Sequence, residues 1–507
     1  MSNILGVSAG FHDAALSVIN HNGDILFASH SERFSRKKHD PNLCDFIIKE
    51  ALSYGDIDTV AYYEKPWLKK LRAMRAGQST KGMRWRTRST LHDLLQRPDV
   101  LNSSTRSLSF SHHLSHAAAG FQTSPFNDAT IVVIDAIGEF DTISIWNAYY
   151  DKNGFARYKL EWRQGYPHSI GMFYSAMTKH VGLRPMDEEY ILMGMAAYGV
   201  RQHAERIVEH IVERYMDADV TGVPKFKENL HIGFPEEDFY GYSKFDIAMA
   251  AQDLVEFMIT RVLDQTLTVR KSTNLVYAGG VALNCSANRN LNHDFYFDNI
   301  WIMPNPGDAG SSLGAAALAY GKKLNWKDAF LGYNIEGEYP VKPIIDELIT
   351  NQIVGVANGR AEFGPRALGN RSLLADPRGK DIKDKVNEIK RRQNFRPFAP
   401  VILEEHAADY FQMPPGFETS PYMQTTAVCK HPDEYPAIIH ADKTSRVQTV
   451  PDDGSGIRKL LEAWKVYTGC PMLLNTSLNI RGEPMVNSVA DALRFQMKYG
   501  IKVHCYV

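Results

Sequence analysis

Two histidines stand four residues apart in the stretch His112-His113-Leu114-Ser115-His116-Ala117-Ala118-Ala119-Gly120. Residues four apart lie on one face of a helix, so His112 and His116 can offer two imidazoles to one metal ion. Residues 117–120 are small and apolar, which lets such a helix pack closely against a sheet. The stretch predicts a helix that carries half of a metal site. Histidines on a helix surface or in a core are the alternative.

The next element supplies a carboxylate. The run Ala129-Thr130-Ile131-Val132-Val133-Ile134-Asp135 has the apolar character of a buried strand and ends in Asp135. In open α/β sheets, residues that bind ligands follow the carboxyl ends of strands. Asp308 lies in a similar turn of Pro, Gly and small residues, where it has no obvious structural partner. With the two histidines, these aspartates predict a metal site in an α/β fold.

The bulk composition limits the number of domains and the class of partner. A chain of 507 residues is too long for one hydrophobic core, so two or three domains are expected. A formal net charge of −1 gives no global case for a polyanionic partner. Five scattered cysteines without a C-x-x-C pair argue against a disulfide framework and suit a reducing compartment. With no leader-like amino terminus and no membrane-spanning run, we expect a cytoplasmic protein without a membrane partner.

The amino-terminal segment predicts three strands joined by turns. Ile4-Leu5-Gly6-Val7-Ser8 is followed by a second strand, by the turn Asn22-Gly23-Asp24, and by a third strand that begins at Ile25. This order resembles the first phosphate loop of the actin-like ATPase superfamily, although an ordinary β-meander has the same pattern. The strand, acidic residue and glycine turn that follow residue 129 repeat it, as duplicated halves would.

Two charged segments leave alternatives open. Residues 31–40 are too polar for a core strand and form either a solvated loop or a loop that faces substrate. Residues 65–88 contain nine basic residues, no acidic residue, and the aromatic Trp67 and Trp85. They form either a solvated basic helix or a surface for a phosphorylated or polymeric substrate, since cations grip phosphate and aromatic rings stack on bases.

Further along the chain, two kinds of anion site are indicated. Gly279 and Gly280 link a strand to a helix start, where the backbone can approach an anion or a nucleotide. Residues 325–350 lack clear periodicity and predict a linker before a second domain. In that domain, cations such as Arg366 and Arg396 stand among Gly, Pro and aromatic residues. They predict a pocket for a small doubly charged anion, with solvated charge as the alternative.

Several long motifs, in one order, resemble the carbamoyltransferases of the NodU/CmcH family over nearly the whole chain. The motifs are His112-His113-x-x-His116-Ala117, Gly279-Gly280-Val281-Ala282-Leu283-Asn284, Glu362-Phe363-Gly364-Pro365-Arg366-Ala367-Leu368-Gly369-Asn370-Arg371-Ser372, Phe395-Arg396-Pro397-Phe398-Ala399-Pro400 and Asn475-Thr476-Ser477-x-Asn479. The resemblance implies a duplicated actin-like (ASKHA) α/β domain over residues 1–335 and an α+β YrdC-like domain over residues 345–507.

The resemblance also implies two half-reactions. The YrdC-like domain would use carbamoyl phosphate and ATP with Mg²⁺ to make carbamoyl-adenylate and pyrophosphate. The actin-like domain would pass the carbamoyl group to a hydroxyl. By the same resemblance, iron(II) or another divalent metal is held by His112, His116, Asp135 and Asp308. The catalytic residues would be His12, Asp13 and Arg366, and the binding residues would be Gly279, Gly280, Asn284, Lys390, Arg396, Arg446, Asn475 and Ser477.

The acceptor hydroxyl cannot be named from these motifs. Members of the family act on natural products, sugars and, in related enzymes, hydroxymethylated pyrimidines. Residues 65–88 favour a nucleotide or nucleic-acid acceptor. The alternatives are an enzyme that transfers threonylcarbamoyl to tRNA, and a non-catalytic actin-like scaffold that binds nucleotide. A monomer or a homodimer is expected.

Overall fold

The computed structural model shows a mixed α/β protein and describes residues 3–217, 222–230, 233–294 and 296–506. Its elements up to residue 326 are, in chain order, β1 (Asn3–Ser8), β2 (Ala15–Ile19), β3 (Ile25–His30), α1 (Glu32–Ser35), α2 (Asp45–Leu52), β4 (Ile57–Tyr62), α3 (Pro66–Arg75), α4 (Thr87–Leu95), β5 (Arg106–Ser109), α5 (His112–Thr123), β6 (Asp128–Gly138), β7 (Asp141–Tyr150), β8 (Ala156–Gly165), α6 (Ile170–His180), α7 (Glu189–Met195), α8 (Arg201–Tyr215), α9 (Lys244–Leu267), β9 (Asn274–Ala278), α10 (Cys285–Asn288), β10 (Asn299–Trp301) and α11 (Ser311–Tyr320).

The remaining elements are β11 (Phe330–Ile335), α12 (Val341–Asn351), β12 (Ile353–Ala357), β13 (Gly359–Glu362), β14 (Arg371–Ala375), α13 (Ile382–Ile389), β15 (Ala399–Leu403), α14 (Ala407–Tyr410), β16 (Phe411–Gln412), β17 (Thr426–Cys429), β18 (Thr444–Arg446), β19 (Gln448–Val450), α15 (Gly456–Thr468), β20 (Met472–Ser477), α16 (Val489–Tyr499) and β21 (Val503–His504). Within the described residues, no helix combines the length and the apolar character needed to cross a bilayer.

The chain forms two compact units. The first unit contains Met1–Gly10, Ser17–Ile25 and Gly55–Trp326. The second contains Phe11–Leu16, Leu26–Tyr54 and Lys327–Val507. Two amino-terminal segments thus belong to the second unit, whereas the motifs divide the chain by function at residues 335 and 345. That functional division stays a prediction.

Strand order in the first unit repeats itself. In one sheet β1 lies between β2 and β4, and β5 follows β4; β1, β4 and β5 are parallel. In the other sheet β6 lies between β7 and β9, and β10 follows β9; β6, β9 and β10 are again parallel. The repeated order agrees with the predicted duplication.

Small residues let α5 pack closely in the first unit. A Cβ added to Gly120 would lie 2.5 Å from a methyl carbon of Val276 in β9. A Cβ added to Gly314 of α11 would lie 1.8 Å from the Ser115 carbonyl oxygen. Real Cβ contacts essentially never fall below 3.0 Å, so both glycines are required for this packing. The predicted helix and its close approach to a sheet are confirmed.

The second unit is built on a six-stranded mixed sheet with the order β19-β15-β20-β14-β12-β21. Strands β12, β14, β20 and β15 run antiparallel in succession, whereas the outer strands β21 and β19 are parallel to their neighbours. Trp464 of α15 and Leu373 of β14 belong to the buried core of this unit. A three-stranded sheet, β16-β17-β18, and a two-stranded sheet, β11-β13, also belong to this unit.

The predicted linker over residues 325–350 is wrong. It contains β11, which pairs antiparallel with β13, and the helix α12. The partner of β11 lies some 25 residues later, so the strand carries no local signal. In α12, Ile344 and Leu348 are buried at helical spacing. Pro343 suggests a break but lies in the first helical turn, where no backbone N–H donor is needed.

Candidate metal and anion sites

Three elements of the first unit position the predicted metal ligands. His112 begins α5 and His116 follows one turn later; Asp135 lies near the carboxyl end of β6. Asp308 lies in the turn before α11. All four residues are buried.

The four side chains converge on one point. Nε2 of His112 lies 3.0 Å from Asp135 Oδ2, 3.2 Å from Asp308 Oδ1 and 3.0 Å from His116 Nε2. Nε2 of His116 lies 3.3 Å from Asp308 Oδ1 and 3.8 Å from Asp135 Oδ2. A metal with bonds of about 2.1 Å separates neighbouring ligand atoms by about 3.0 Å in octahedral and about 3.4 Å in tetrahedral geometry. The donor atoms therefore fit a divalent metal.

The charges of this cluster are balanced. Burial would lower the pKa of His112, but Asp308 and Asp135 hold that pKa well above its ordinary value. Burial would raise the pKa of Asp135, but His112 and His116 hold it well below. Two carboxylates thus stay ionised in a buried place, where a divalent cation can replace the protons on the imidazoles.

Neighbouring groups orient the ligands. Nδ1 of His116 hydrogen-bonds Ser311 Oγ at 3.0 Å, which directs Nε2 toward the cluster. The N–H of Gly280 donates to Asp135 Oδ1 at 3.1 Å. His113 faces elsewhere: its Nδ1 hydrogen-bonds Ser144 Oγ at 2.7 Å, and burial together with His112 lowers its pKa to about 3. The middle histidine is therefore held away from the cluster as a neutral core residue.

Sequence reasoning missed Glu139 beside this cluster. Burial raises its pKa to about 7, and its Oε1 accepts the backbone N–H of Lys65 at 2.6 Å. The only signal was its place in the acid and glycine turn after β6.

The double-glycine turn lies against the cluster, and Asn284 follows it. Gly279 has φ +92°, and a Cβ there would lie 2.2 Å from the Ile134 carbonyl oxygen. Asn284 caps α10 through Ala287 N–H and exchanges amide hydrogen bonds of 3.0 and 3.1 Å with Gln252 of α9. The glycines thus lie beside the predicted metal ligands, while Asn284 is bonded to the protein.

In the second unit, the Asp13 carboxylate joins two histidines. It lies 2.9 Å from His12 Nδ1 and 2.7 Å from His39 Nδ1. Burial would raise the pKa of Asp13, but these hydrogen bonds lower it, so the carboxylate is ionised and both Nδ1 atoms donate. Nε2 of His12 then carries a lone pair that can accept a proton.

Residues 31–40 supply His39, which sequence reasoning missed. Glu32 Oε2 accepts the His39 backbone N–H at 3.0 Å, and Asp13, Glu32 and His39 could together hold a cation. The interpretation of these residues as a solvated loop is wrong, because Arg33 is buried in the short helix α1 and donates to the Gly364 carbonyl at 2.9 Å.

Lys390, one of the predicted anion-binding residues of the second unit, is buried near other cations. Nζ of Lys390 donates to Ser477 O at 2.5 Å, Ser477 Oγ at 3.0 Å and Asn479 Oδ1 at 2.8 Å, all of them uncharged. Burial, with the charges of Arg392 and Arg396, holds the Lys390 pKa well below its ordinary value. A cation group of this kind is stabilised by an anion.

The other predicted residues lie on neighbouring segments of the second unit. Asn475 is buried and donates to Ala367 O at 3.0 Å, beside Arg366. Arg446 ends β18, and its Nε is buried without a hydrogen-bond partner among the described residues. A buried unpaired guanidinium N–H suits an anionic ligand.

The chain matches two family models and several curated relatives. Residues 99–317 match the carbamoyltransferase N-terminus, and residues 345–506 match the carbamoyltransferase C-terminus. An uncharacterized protein of Synechocystis sp. is 31% identical over 98% of this chain and 94% of its own length. Nodulation protein NolNO of Sinorhizobium fredii is 30% identical over 95% of this chain and 76% of its own.

Two further comparisons concern an O-carbamoyltransferase and a solved structure. The 3'-hydroxymethylcephem-O-carbamoyltransferase of Amycolatopsis lactamdurans is 27% identical over 97% of this chain and 95% of its own. Among solved structures, component A of Acidaminococcus fermentans (R)-2-hydroxyglutaryl-CoA dehydratase aligns with 63% of this chain and 98% of its own, at 14% identity and a TM-score of 0.35. From the two family models and the relatives at 30–31% identity, the chain belongs to the NodU/CmcH family of carbamoyltransferases and is a carbamoyltransferase.

Proposed function

We propose that this carbamoyltransferase works in two half-reactions. Carbamoyl phosphate and ATP with Mg²⁺ first give carbamoyl-adenylate, and an acceptor hydroxyl then takes the carbamoyl group while AMP leaves. The observation that carries the proposal is the buried cluster of two histidines and two aspartates, whose Asp135 accepts the N–H of Gly280 in the double-glycine turn. In this proposal the cluster would hold a divalent metal next to the turn to which we assign the nucleotide.

We assign the transfer step to an actin-like domain over residues 1–335. The repeated strand order of the first unit supports a duplicated fold of this kind. A divalent metal held by His112, His116, Asp135 and Asp308 would act as a Lewis acid that stabilises developing negative charge. We assign the nucleotide of the adenylate to the surroundings of Gly279 and Gly280.

We assign adenylate formation to a YrdC-like domain over residues 345–507. For the atoms to balance, water releases phosphate from carbamoyl phosphate, and the resulting carbamate oxygen attacks the α-phosphorus of ATP with loss of pyrophosphate. Arg366, Lys390, Arg396, Arg446 and the polar groups of Asn475 and Ser477 would bind these anions. The hydrogen-bond acceptors of Lys390 support this role, since none of them is an anion.

In the transfer step the acceptor oxygen forms a bond to the carbamoyl carbon, and the bond from that carbon to the adenylate oxygen breaks. The hydroxyl proton would go to Nε2 of His12. Asp13 supports this role because it holds the Nδ1 proton of His12 and so fixes the tautomer. The acceptor is a hydroxyl of a natural product, a sugar or a hydroxymethylated pyrimidine.

Pyrophosphate release tests the first half-reaction. The protein, loaded with iron(II) under reducing conditions, is mixed with ATP and carbamoyl phosphate, together and singly. Release that needs both substrates and fails in Arg366→Ala is expected. Arg378→Ala is the matched control, because Arg378 pairs with Asp376 at the surface of the same unit.

Two results separate the alternatives. His112→Ala should abolish carbamoyl transfer but leave pyrophosphate release intact, whereas it would be silent in a scaffold. No pyrophosphate release from folded, metal-loaded protein would refute the carbamoyl-adenylate proposal.

A further inference from the structure

Helices α3 and α4 and the segment between them carry an unusual concentration of positive charge. We call residues 65–88 the basic surface. Its nine cations are flanked by Glu64 and Asp93, with no acidic residue between. The whole chain has a formal net charge of −1, so this charge is a local feature.

Four of the nine cations are engaged by the protein. Lys69 pairs with Glu64 at 2.5 Å, and Arg84 pairs with Asp93 at 2.5 Å. Lys70 and Arg88 donate to backbone carbonyls: Lys70 to Met83 at 2.9 Å, and Arg88 to Leu101, Asn102 and Thr105 at 2.6–3.0 Å. These four cations stabilise the local structure of the basic surface.

The other five cations have no such role. Across the residues that the structure describes, no side-chain hydrogen bond or ion pair engages Lys65, Arg72, Arg75, Lys81 or Arg86. Arg75, Lys81 and Arg86 are exposed, and the other two are half-buried. Their charge is available to a ligand.

Exposed aromatic rings accompany these cations. Trp67 is 46% exposed and Trp85 is 51% exposed, values that are high for a residue that is mostly buried on average. Nζ of Lys70 lies 4.9 Å from the Trp85 ring centroid, which holds that ring in place. In sequence, Arg86 adjoins Trp85, and Lys65 precedes Trp67 by two residues. An exposed indole and an unengaged cation thus occur together twice.

We propose that the basic surface binds single-stranded nucleic acid. Phosphates would contact the unengaged cations, and bases would stack on Trp67 and Trp85, the combination by which proteins bind strands without sequence preference. A single strand is favoured over a duplex because its bases are accessible for stacking. The inference rests on the proposed function in one respect: the bound strand would carry the acceptor hydroxyl.

A membrane surface is the competing partner, but the structure favours it less. Trp67, Leu71 and Met74 lie on one face of α3 and are exposed. However, α3 has only ten residues, and Trp85 lies in the polar segment after it rather than on the same helix face. Insertion into lipid needs apolar side chains that project together.

Strand binding is measured by fluorescence anisotropy with a labelled 20-nucleotide DNA of mixed sequence, over a series of salt concentrations. The variant Arg75→Gln/Lys81→Gln/Arg86→Gln should bind more weakly. It should also lower the slope of log K against log salt by about 2, since each lost phosphate contact removes about 0.7. Trp85→Ala should weaken binding at least about fivefold with an unchanged slope.

The matched control is Arg157→Gln/Lys159→Gln/Arg163→Gln, which removes three exposed cations from β8. It should leave both the affinity and the slope unchanged. Equal weakening by the two triple variants would overturn the proposal, as would absence of strand binding by the wild type. Binding to vesicles of phosphatidylcholine and phosphatidylserine, lost in the first triple variant without any strand binding, would instead assign the surface to membranes.

Pyrophosphate release distinguishes this inference from the proposed function. The basic-surface triple variant should release pyrophosphate at the wild-type rate. Strand binding without pyrophosphate release would refute the carbamoyl-adenylate proposal and leave the surface as a nucleic-acid site. Pyrophosphate release without strand binding would refute the nucleic-acid proposal and leave the carbamoyl-adenylate proposal standing.

Discussion

Gly138 is the position where one methyl group should disable the proposed metal centre. A Cβ added there would lie 2.3 Å from Cδ2 of His112 and 2.6 Å from its Cγ. Ordinary van der Waals contact begins at 3.4 Å, so in Gly138→Ala the imidazole must retreat by about 1.1 Å. Cδ2 is bonded to Nε2, the proposed ligand atom, and the movement therefore displaces the ligand itself.

The expected loss of affinity follows from this displacement. Metal–ligand distances in working sites stay within about 0.2 Å of their ideal values, so a shift of about 1.1 Å removes His112 from the coordination shell. Loss of orienting contacts alone costs about 10–100-fold in metal affinity. We therefore expect Gly138→Ala to bind iron(II) at least about 100-fold more weakly, which equals about 2.7 kcal/mol.

Metal affinity is measured by competition with a chromogenic chelator under anaerobic reducing conditions, with thermal unfolding followed by circular dichroism. Gly222→Ala is the control, because a Cβ there has no atom within 4 Å. Wild-type affinity in a folded Gly138→Ala protein would show that His112 is not a ligand.

Three further predictions concern the second unit. An anion that binds beside Lys390 should raise the lowered pKa of its ammonium group, so carbamoyl phosphate binding should weaken as pH rises through that pKa and should take up protons there; calorimetry in two buffers should show no such uptake in Lys390→Met. Arg371→Leu should lower the free energy of unfolding by about 4 kcal/mol, because it leaves several buried carbonyl groups without a hydrogen-bond donor. Denaturant titration measures this change, and a loss below about 1 kcal/mol would contradict the prediction. Asp13→Asn should slow carbamoyl transfer at least about 100-fold, because the tautomer of His12 is no longer fixed, while the rate of pyrophosphate release should not change. Equal slowing of both reactions would point to misfolding.

Local sequence patterns predicted much of the candidate metal site in the first unit. The spacing of His112 and His116 specifies one helix face, and an apolar run that ends in Asp135 specifies the place of that carboxylate, so both could be predicted. The position of Asp308 beside these three residues depends on strand order, because strand order brings the carboxyl end of β6 close to the turn before α11. Strand order is a property of the whole sheet, and the sequence only suggested it through the repeated pattern.

Contacts between distant segments could not be predicted. Arg366 and Arg371 stand in the same motif, but only Arg366 was assigned to the anion pocket. Arg371 is fully buried, and it donates to the carbonyls of Tyr333, Asn358 and Asn487. Those carbonyls come from segments that folding alone brings together, so local sequence could not reveal the structural role of Arg371. His39, 26 residues from Asp13, was missed for the same reason.

The segment 308–314 has a consequence for laboratory evolution of this enzyme. Within seven residues it provides a carboxylate of the cluster, the hydroxyl of Ser311 on His116, and the Gly314 surface against α5. One inserted residue would rotate every later side chain of α11 by about 100° about the helix axis, so these three groups could no longer all keep their contacts. Altered metal preference should therefore be sought by substitutions outside this segment, because selection acting on it cannot change the chemistry without also changing the packing.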